Sequence, residues 1–241
     1  MEQEADLTPK PQSSSHFWIS ESQFFSSVLL SSPLLVPDSP VVQQEELSLE
    51  LYDCDGVHSG ALRVQWRTGD VGVIDLKPLL STCKLDNGLR HGHLVVKSSG
   101  DFRHLVRYQG EGGIGIVNAL PNISTRAGLF VPIRCTSKHQ HLAACVNLSD
   151  EAGTVTVRLM FENRSPEIQV AVPAHGCVIV PVEEDFSLRF NAQADQGPVM
   201  AGYIRCATRH TGAFGIQILE RIVDPSEGAN GTKGDSYRVL V

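Results

Sequence analysis

The stretch ELSLELYD, residues 46–53, sets Leu47, Leu49 and Leu51 on alternate positions against Glu46, Ser48 and Glu50. The period is two, so one face of an extended chain is apolar and the other is polar. The same alternation returns in TVTVRLMF, where Val155, Val157 and Leu159 face away from Thr156, Arg158 and Met160. It returns again in EIQVAVP, with Ile168, Val170 and Val172 on one side. Half-buried antiparallel strands have this signature. Turn chemistry separates the runs, at residues 53–56, 86–88, 150–153, 163–166 and 175–176. No run carries the 3.6-residue period of an amphipathic helix; residues 75–85 hold at most one or two helical turns, broken by Pro78. The chain is therefore expected to be all-β.

The pattern also repeats. Residues 47–80 read as strand, polar turn, strand, tight turn, strand, and residues 155–186 read the same way. Residues 91–108 and 200–220 then each read as a strand, a turn and another strand. The offset is roughly 108 residues, the size of one small sandwich. Two lead-in strands of the second copy, GLFVPIRC (128–135) and HQHLAACVNLS (139–149), have expected counterparts at residues 16–20 and 24–36. With 241 residues there is room for two such units. The expected organisation is a polar tail over 1–14, a first β-sandwich over 15–125, a second over 126–223 and a C-terminal tail over 224–241, whose last residues can add a short edge strand.

Charge and composition narrow the function classes. A net charge of −7 repels phosphate backbones, so no nucleic-acid partner is expected. The first 18 residues lack the basic start and apolar core of a signal peptide. The apolar run 24–36 is too short to cross a bilayer and is interrupted by Pro33 and four serines. A cytoplasmic location without membrane insertion is the expectation. Cys54, Cys83, Cys135, Cys145, Cys177 and Cys206 are dispersed with no C-x-x-C pair, which predicts reduced thiols, several of them buried in strands.

Five groups of residues invite a chemical reading. His91 and His93 flank Gly92, and His139 and His141 flank Gln140. Residues two apart share a strand face, so each pair could converge on a metal. Neither is followed by the carboxylate that such a site needs, and Cys145 stands too far along the strand, so both pairs are expected to be solvent-facing at a strand start. His175 and Cys177 sit too close in a turn for general-base activation. The acids at residues 183–185 read as a solvated loop. The Gly-rich run at residues 110–122 precedes no helix and lacks a phosphate-binding lysine, so it reads as a linker between copies. Trp18, Trp66 and Tyr203 would stack a sugar only if exposed; most are expected in the core. No catalytic, cofactor-binding or metal-binding residue is assigned, and no cofactor is expected.

The segment from Leu142 to Phe186, followed by AGYIRCAT, resembles the soluble sensory-rhodopsin transducer family and related β-sandwich modules of bacterial repeat proteins. The resemblance lies in Val146–Glu151, Val155–Phe161, Val172–Ala174 and Gly202–Arg205. It covers the second copy and is weak in the first, where Trp66 and Arg67 stand in place of V-P-A. It implies a compact sandwich that works by docking a protein partner or by self-association into a small oligomer, with no enzymatic chemistry. The expected function is thus a non-enzymatic interaction, scaffold or signalling-adaptor module. The alternatives are a sandwich binding carbohydrate or another small ligand, and a metal-dependent enzyme using the histidine pairs. A charge at Val157 is expected to unfold the second copy, and His139→Ala to be close to neutral.

Overall fold

The computed structural model describes residues 12–20, 24–31, 44–67, 72–86, 89–98, 103–110, 113–123, 128–136, 139–161, 164–186, 188, 200–209, 214–222 and 236–239. The first half contains β1 (Gln12–Ser20), β2 (Phe24–Ser31), β3 (Gln44–Asp53), β4 (His58–Arg67), β5 (Gly72–Asp75), the one-turn helix α1 (Lys77–Leu80), β6 (Arg90–Ser98), β7 (Arg103–Gly110) and β8 (Gly113–Val117). The two-residue strand β9 (Asn122–Ile123) follows. The second half contains β10 (Leu129–Cys135), β11 (His139–Asn147), β12 (Gly153–Met160), β13 (Glu167–Val172), β14 (Cys177–Pro181), the one-turn helix α2 (Val182–Asp185), β15 (Met200–Thr208), β16 (Phe214–Ile222) and β17 (Ser236–Val239).

These strands form four antiparallel sheets. Sheet I has the order β1-β6-β3-β4 and sheet II the order β5-β2-β7-β8. Sheet III has the order β10-β15-β12-β13 and sheet IV the order β14-β11-β16-β17. Numbered from the start of its own half, each strand of sheets III and IV takes the place of its counterpart in sheets I and II. The one-turn helix follows the fifth strand in both. The lead-in strands expected at 16–20 and 24–36 correspond to β1 and β2.

The alternation works as read. Leu47, Leu49 and Leu51 of β3 are buried in one core, and Val155, Val157 and Leu159 of β12 in a second. Strand β11 behaves differently. From His141 to Asn147 every residue is buried, so the strand is covered on both faces. Ala143 and Cys145 enter the core between sheets III and IV. Leu142, Ala144 and Val146 point the other way and join Phe17, Ile19 and the leucines of the first half. The first core thus draws on both halves.

Turns tie the halves together as well. Asp53 Oδ1 accepts the amides of Asp55 and Val57 and closes the β3–β4 turn at 3.0 and 2.9 Å. Gly56 in that turn has φ +80°, and a Cβ there would overlap the carbonyl oxygen of Ala174. The Cys177 amide donates to Cys54 O at 3.0 Å, a backbone bond from the second half to the first. Tyr52 stacks on His93 of its own half and on His175 of the other, at centroid distances of 5.7 and 4.9 Å. Strand β17 lies against β8.

The motif VNLSDE owes its form to Asn147. Its buried side-chain amide donates to Glu151 O and Val172 O, and its oxygen accepts from the Ser149 amide and hydroxyl. One side chain thereby holds the β11–β12 turn and the end of β13.

Several expectations change. Within the Gly-rich run, Gly113–Val117 is strand β8, paired with β7, so this part is the fourth strand of sheet II and no linker. Ser236–Val239, inside the segment read as a C-terminal tail, pairs with β16. Gln12 to Ser14, read as tail, begin β1; residues 1–11 lie outside the described residues. The acids at residues 183–185 form α2, and Glu183 is buried. All six cysteines are free and buried, as read. No helix among the described residues is long and apolar enough to cross a membrane.

Candidate functional site

Three places in this fold carry chemistry. The first is the end of the interior between sheets III and IV. Cys135 is the last residue of β10 and points inward, because Val131, Ile133 and Cys135 share the buried face of that strand. His141 lies near the start of β11, opposite Glu220 of β16 in the strand register. Helix α2 covers this end and turns Glu183 inward. The side chain of His141 is fully buried between two carboxylates. Its Nδ1 is 2.6 Å from Glu183 Oε1, its Nε2 is 3.6 Å from Glu220 Oε1, and its amide donates to Glu183 Oε2 at 2.7 Å. Cys135 Sγ lies 4.0 Å from the same Nδ1.

Cys135 and Glu183 lie on the same ring nitrogen of His141, while Glu220 faces the other at 3.6 Å, beyond hydrogen-bonding distance. Burial, with the Glu183 charge beside it, pushes the Cys135 thiol up to about 12, so it stays protonated at neutral pH.

The second place is a cavity of about 200 Å³ at the junction of the halves. Asp86 and His91 line it from the first half, and Gln140, Glu183, Glu184 and Arg221 from the second. His91 is 2% exposed and lies against the Cys177 backbone. Burial lowers its pKa, against the pull of Asp86, whose Oδ2 lies 4.0 Å from Nε2. Cys54, Asp86 and His91 have donor atoms within 4.8 Å of one another.

The third place is the outer face of sheet III. Phe130 and Tyr203 are each 53% exposed. The register sets Phe130 opposite Arg205 and Pro132 opposite Tyr203, so the four side chains form one block. The Arg205 guanidinium sits 5.5 Å above the Phe130 ring. Arg158 and Met160 continue the block on β12, and Arg158 pairs with Glu167. The outer face of sheet I carries a different surface, in which Lys97 pairs with Glu50 and Arg63 with Glu46.

The residues singled out from sequence are distributed unevenly among these places. His91, His93 and His141 are buried, which corrects their reading as solvent-facing. They are buried because β6 and β11 are covered on both faces near the junction. Only His139 is partly exposed, and its Nδ1 meets Thr136 Oγ1 at 2.6 Å. His139 and His141 do not converge: His139 stays with Thr136 while His141 faces Glu183. Gly92 stands between His91 and His93 for a backbone reason, since a Cβ there would strike the Tyr52 carbonyl oxygen. His175 bonds Asp150 Oδ1 through Nε2 at 2.7 Å, and burial holds the Cys177 thiol well above its usual pKa, so these two form no pair. Cys145 is in the core. Trp18 is buried with its Nε1 donating to Tyr52 O at 3.0 Å, and Tyr203 is the exposed aromatic. The Trp66 side chain lies outside the described residues. Sequence reasoning missed Cys135, Glu183 and Glu220. A trace of Glu183 was visible in the three-acid run after an apolar strand, but nothing in the letters marks which acid turns inward.

No protein-family model, curated protein or solved structure matches this chain.

Proposed function

We propose that this chain is a non-enzymatic β-sandwich interaction module, built from two copies of one sandwich, β1–β8 and β10–β17. Recurrence of the strand order in the two halves supports the duplication. The block of Phe130, Pro132, Tyr203 and Arg205 is the observation that carries the docking role. Exposed aromatics beside arginine are the composition of interface centres, and the corresponding face of sheet I is charge-paired. The occupant that fits is a protein surface bearing apolar and acidic groups, which would meet Arg134, exposed on β10, and Arg205. Docking by the face is favoured over strand addition at β10, because Pro132 removes an amide donor from that edge. The resemblance to transducer-like modules agrees with this reading. So does the Cys135 thiol, which burial beside the Glu183 charge keeps protonated at neutral pH.

The test is site-specific photo-crosslinking in cells, with a photoreactive phenylalanine at position 203 or, as control, at position 63 on the outer face of sheet I. A discrete adduct from position 203, absent from 63 and lost on Phe130→Ser, is expected. Equal labelling from both positions, or none from 203, contradicts the reading.

A second reading has its own support. The junction cavity offers carboxylates, an amide, a guanidinium and the imidazole of His91, a set suited to a small polyhydroxy ligand. A glycan array tests it: a hit abolished by His91→Ala supports it, and a blank array removes it.

A further inference from the structure

We infer that Cys135, His141 and Glu183 form a binding site for a divalent zinc-like ion, held between sheets III and IV and independent of the docking face. Their donor atoms, Sγ, an imidazole nitrogen and a carboxylate oxygen, all lie within 4.8 Å of one another and all three residues are buried. Sulfur, nitrogen and oxygen donors in one cluster are the set that zinc accepts. Donors about 2.0–2.3 Å from a tetrahedral ion stand about 3.3–3.8 Å apart. The Cys135 Sγ to His141 Nδ1 separation of 4.0 Å is close to that. The Nδ1 to Oε1 contact of 2.6 Å is shorter because a proton lies between the two atoms. An ion that takes this position displaces that proton and the thiol proton to solvent, and the pair opens by less than the width of an atom.

Three further features fit a metal site better than a simple ion pair. Glu183 Oε2 is already fixed by the His141 amide, which leaves Oε1 to bind in a monodentate fashion. The other ring nitrogen of His141 faces Glu220 at 3.6 Å, the carboxylate-to-histidine arrangement that orients imidazole ligands from behind. Glu183 also lines the junction cavity, which gives an ion a path to an otherwise closed site. The donors come from β10, β11 and α2, so a bound ion would fasten α2 and the two sheets together. His139 takes no part, although the sequence pairs it with His141.

The full-length protein, stripped with chelator, should bind one equivalent of Zn²⁺ in competition with a chromophoric chelator. With Co²⁺ it should give the near-ultraviolet charge-transfer band of a cobalt thiolate. Cys135→Ser should abolish that band, Glu220→Gln should weaken zinc binding by about 10- to 100-fold, and His139→Ala should change neither. A cobalt complex of the unmutated protein without a thiolate band overturns the inference whatever the variants do. So does stoichiometric binding that Cys135→Ser leaves intact, and so does the absence of competitive zinc binding.

Discussion

Buried histidines set the chemistry of single residues in this protein. His16, His93 and His104 are almost fully enclosed, and burial is the main cause that lowers them to about 3, 4 and 4. His16 Nε2 and His104 Nδ1 share the hydroxyl of Ser14 at 3.0 and 2.9 Å, which suits neutral rings. In the unfolded chain each takes a proton near the ordinary histidine pKa of about 6.5. Between that pH and about 4 the unfolded state binds more protons than the folded one, so stability falls as pH falls through this window. Three such groups cost on the order of 5 kcal/mol by pH 5. Urea midpoints at pH 7.5, 6 and 5 should drop steadily; a flat series would show that these rings are not neutral and enclosed. The sequence revealed the histidines and not their burial. His91 and His93 begin a strand whose HGHLVV letters look half-polar, and only the second half, packed on β6, closes over them.

Strands and turns were the most legible level. Period-two runs became β3, β12 and β13, and the offset of roughly 108 residues found equivalent strands in both halves. The reading lost accuracy where neighbours far along the chain decide the outcome. Strand β11 reads HLAACVN without alternation because both faces are covered, and small residues let two layers approach it. The Gly-rich run forms β8 because the edge of β7 offers it a hydrogen-bonding partner. Turn α2 escaped notice because one helical turn leaves no period to detect. The VNLSDE motif was recognised as turn grammar, and the structure supplies its cause in Asn147. Asn147→Ala would take a donor from the buried Val172 carbonyl and the acceptor from the Ser149 amide, while Ser149 Oγ still reaches Glu151 O. A loss of about 3 kcal/mol is expected from such orphaned groups, measured by urea denaturation. A loss under about 0.5 kcal/mol, as for an ordinary surface change, would show that the turn holds without it.

Across the whole molecule, the halves share more than a common strand order. The apolar face of β11 that looks away from sheet III completes the core of the first half, and Cys177 hydrogen-bonds Cys54 across the junction. The cavity with Asp86 on one wall and Arg221 on another exists only while the halves stay together. The two halves are therefore expected to fold as a single cooperative unit, with the cavity at their junction. Both tryptophans, Trp18 and Trp66, belong to the first half, so tryptophan fluorescence reports on that half alone. Val157 is buried in the core of the second half, far along the chain from either. Val157→Ala should remove on the order of 2 kcal/mol by leaving a cavity there. The decisive measurement is urea unfolding of this variant, followed by tryptophan fluorescence and by far-ultraviolet circular dichroism. Coincident transitions, both shifted to lower urea, are the predicted result. A fluorescence transition that stays at the wild-type midpoint while the dichroism splits into two steps would contradict it.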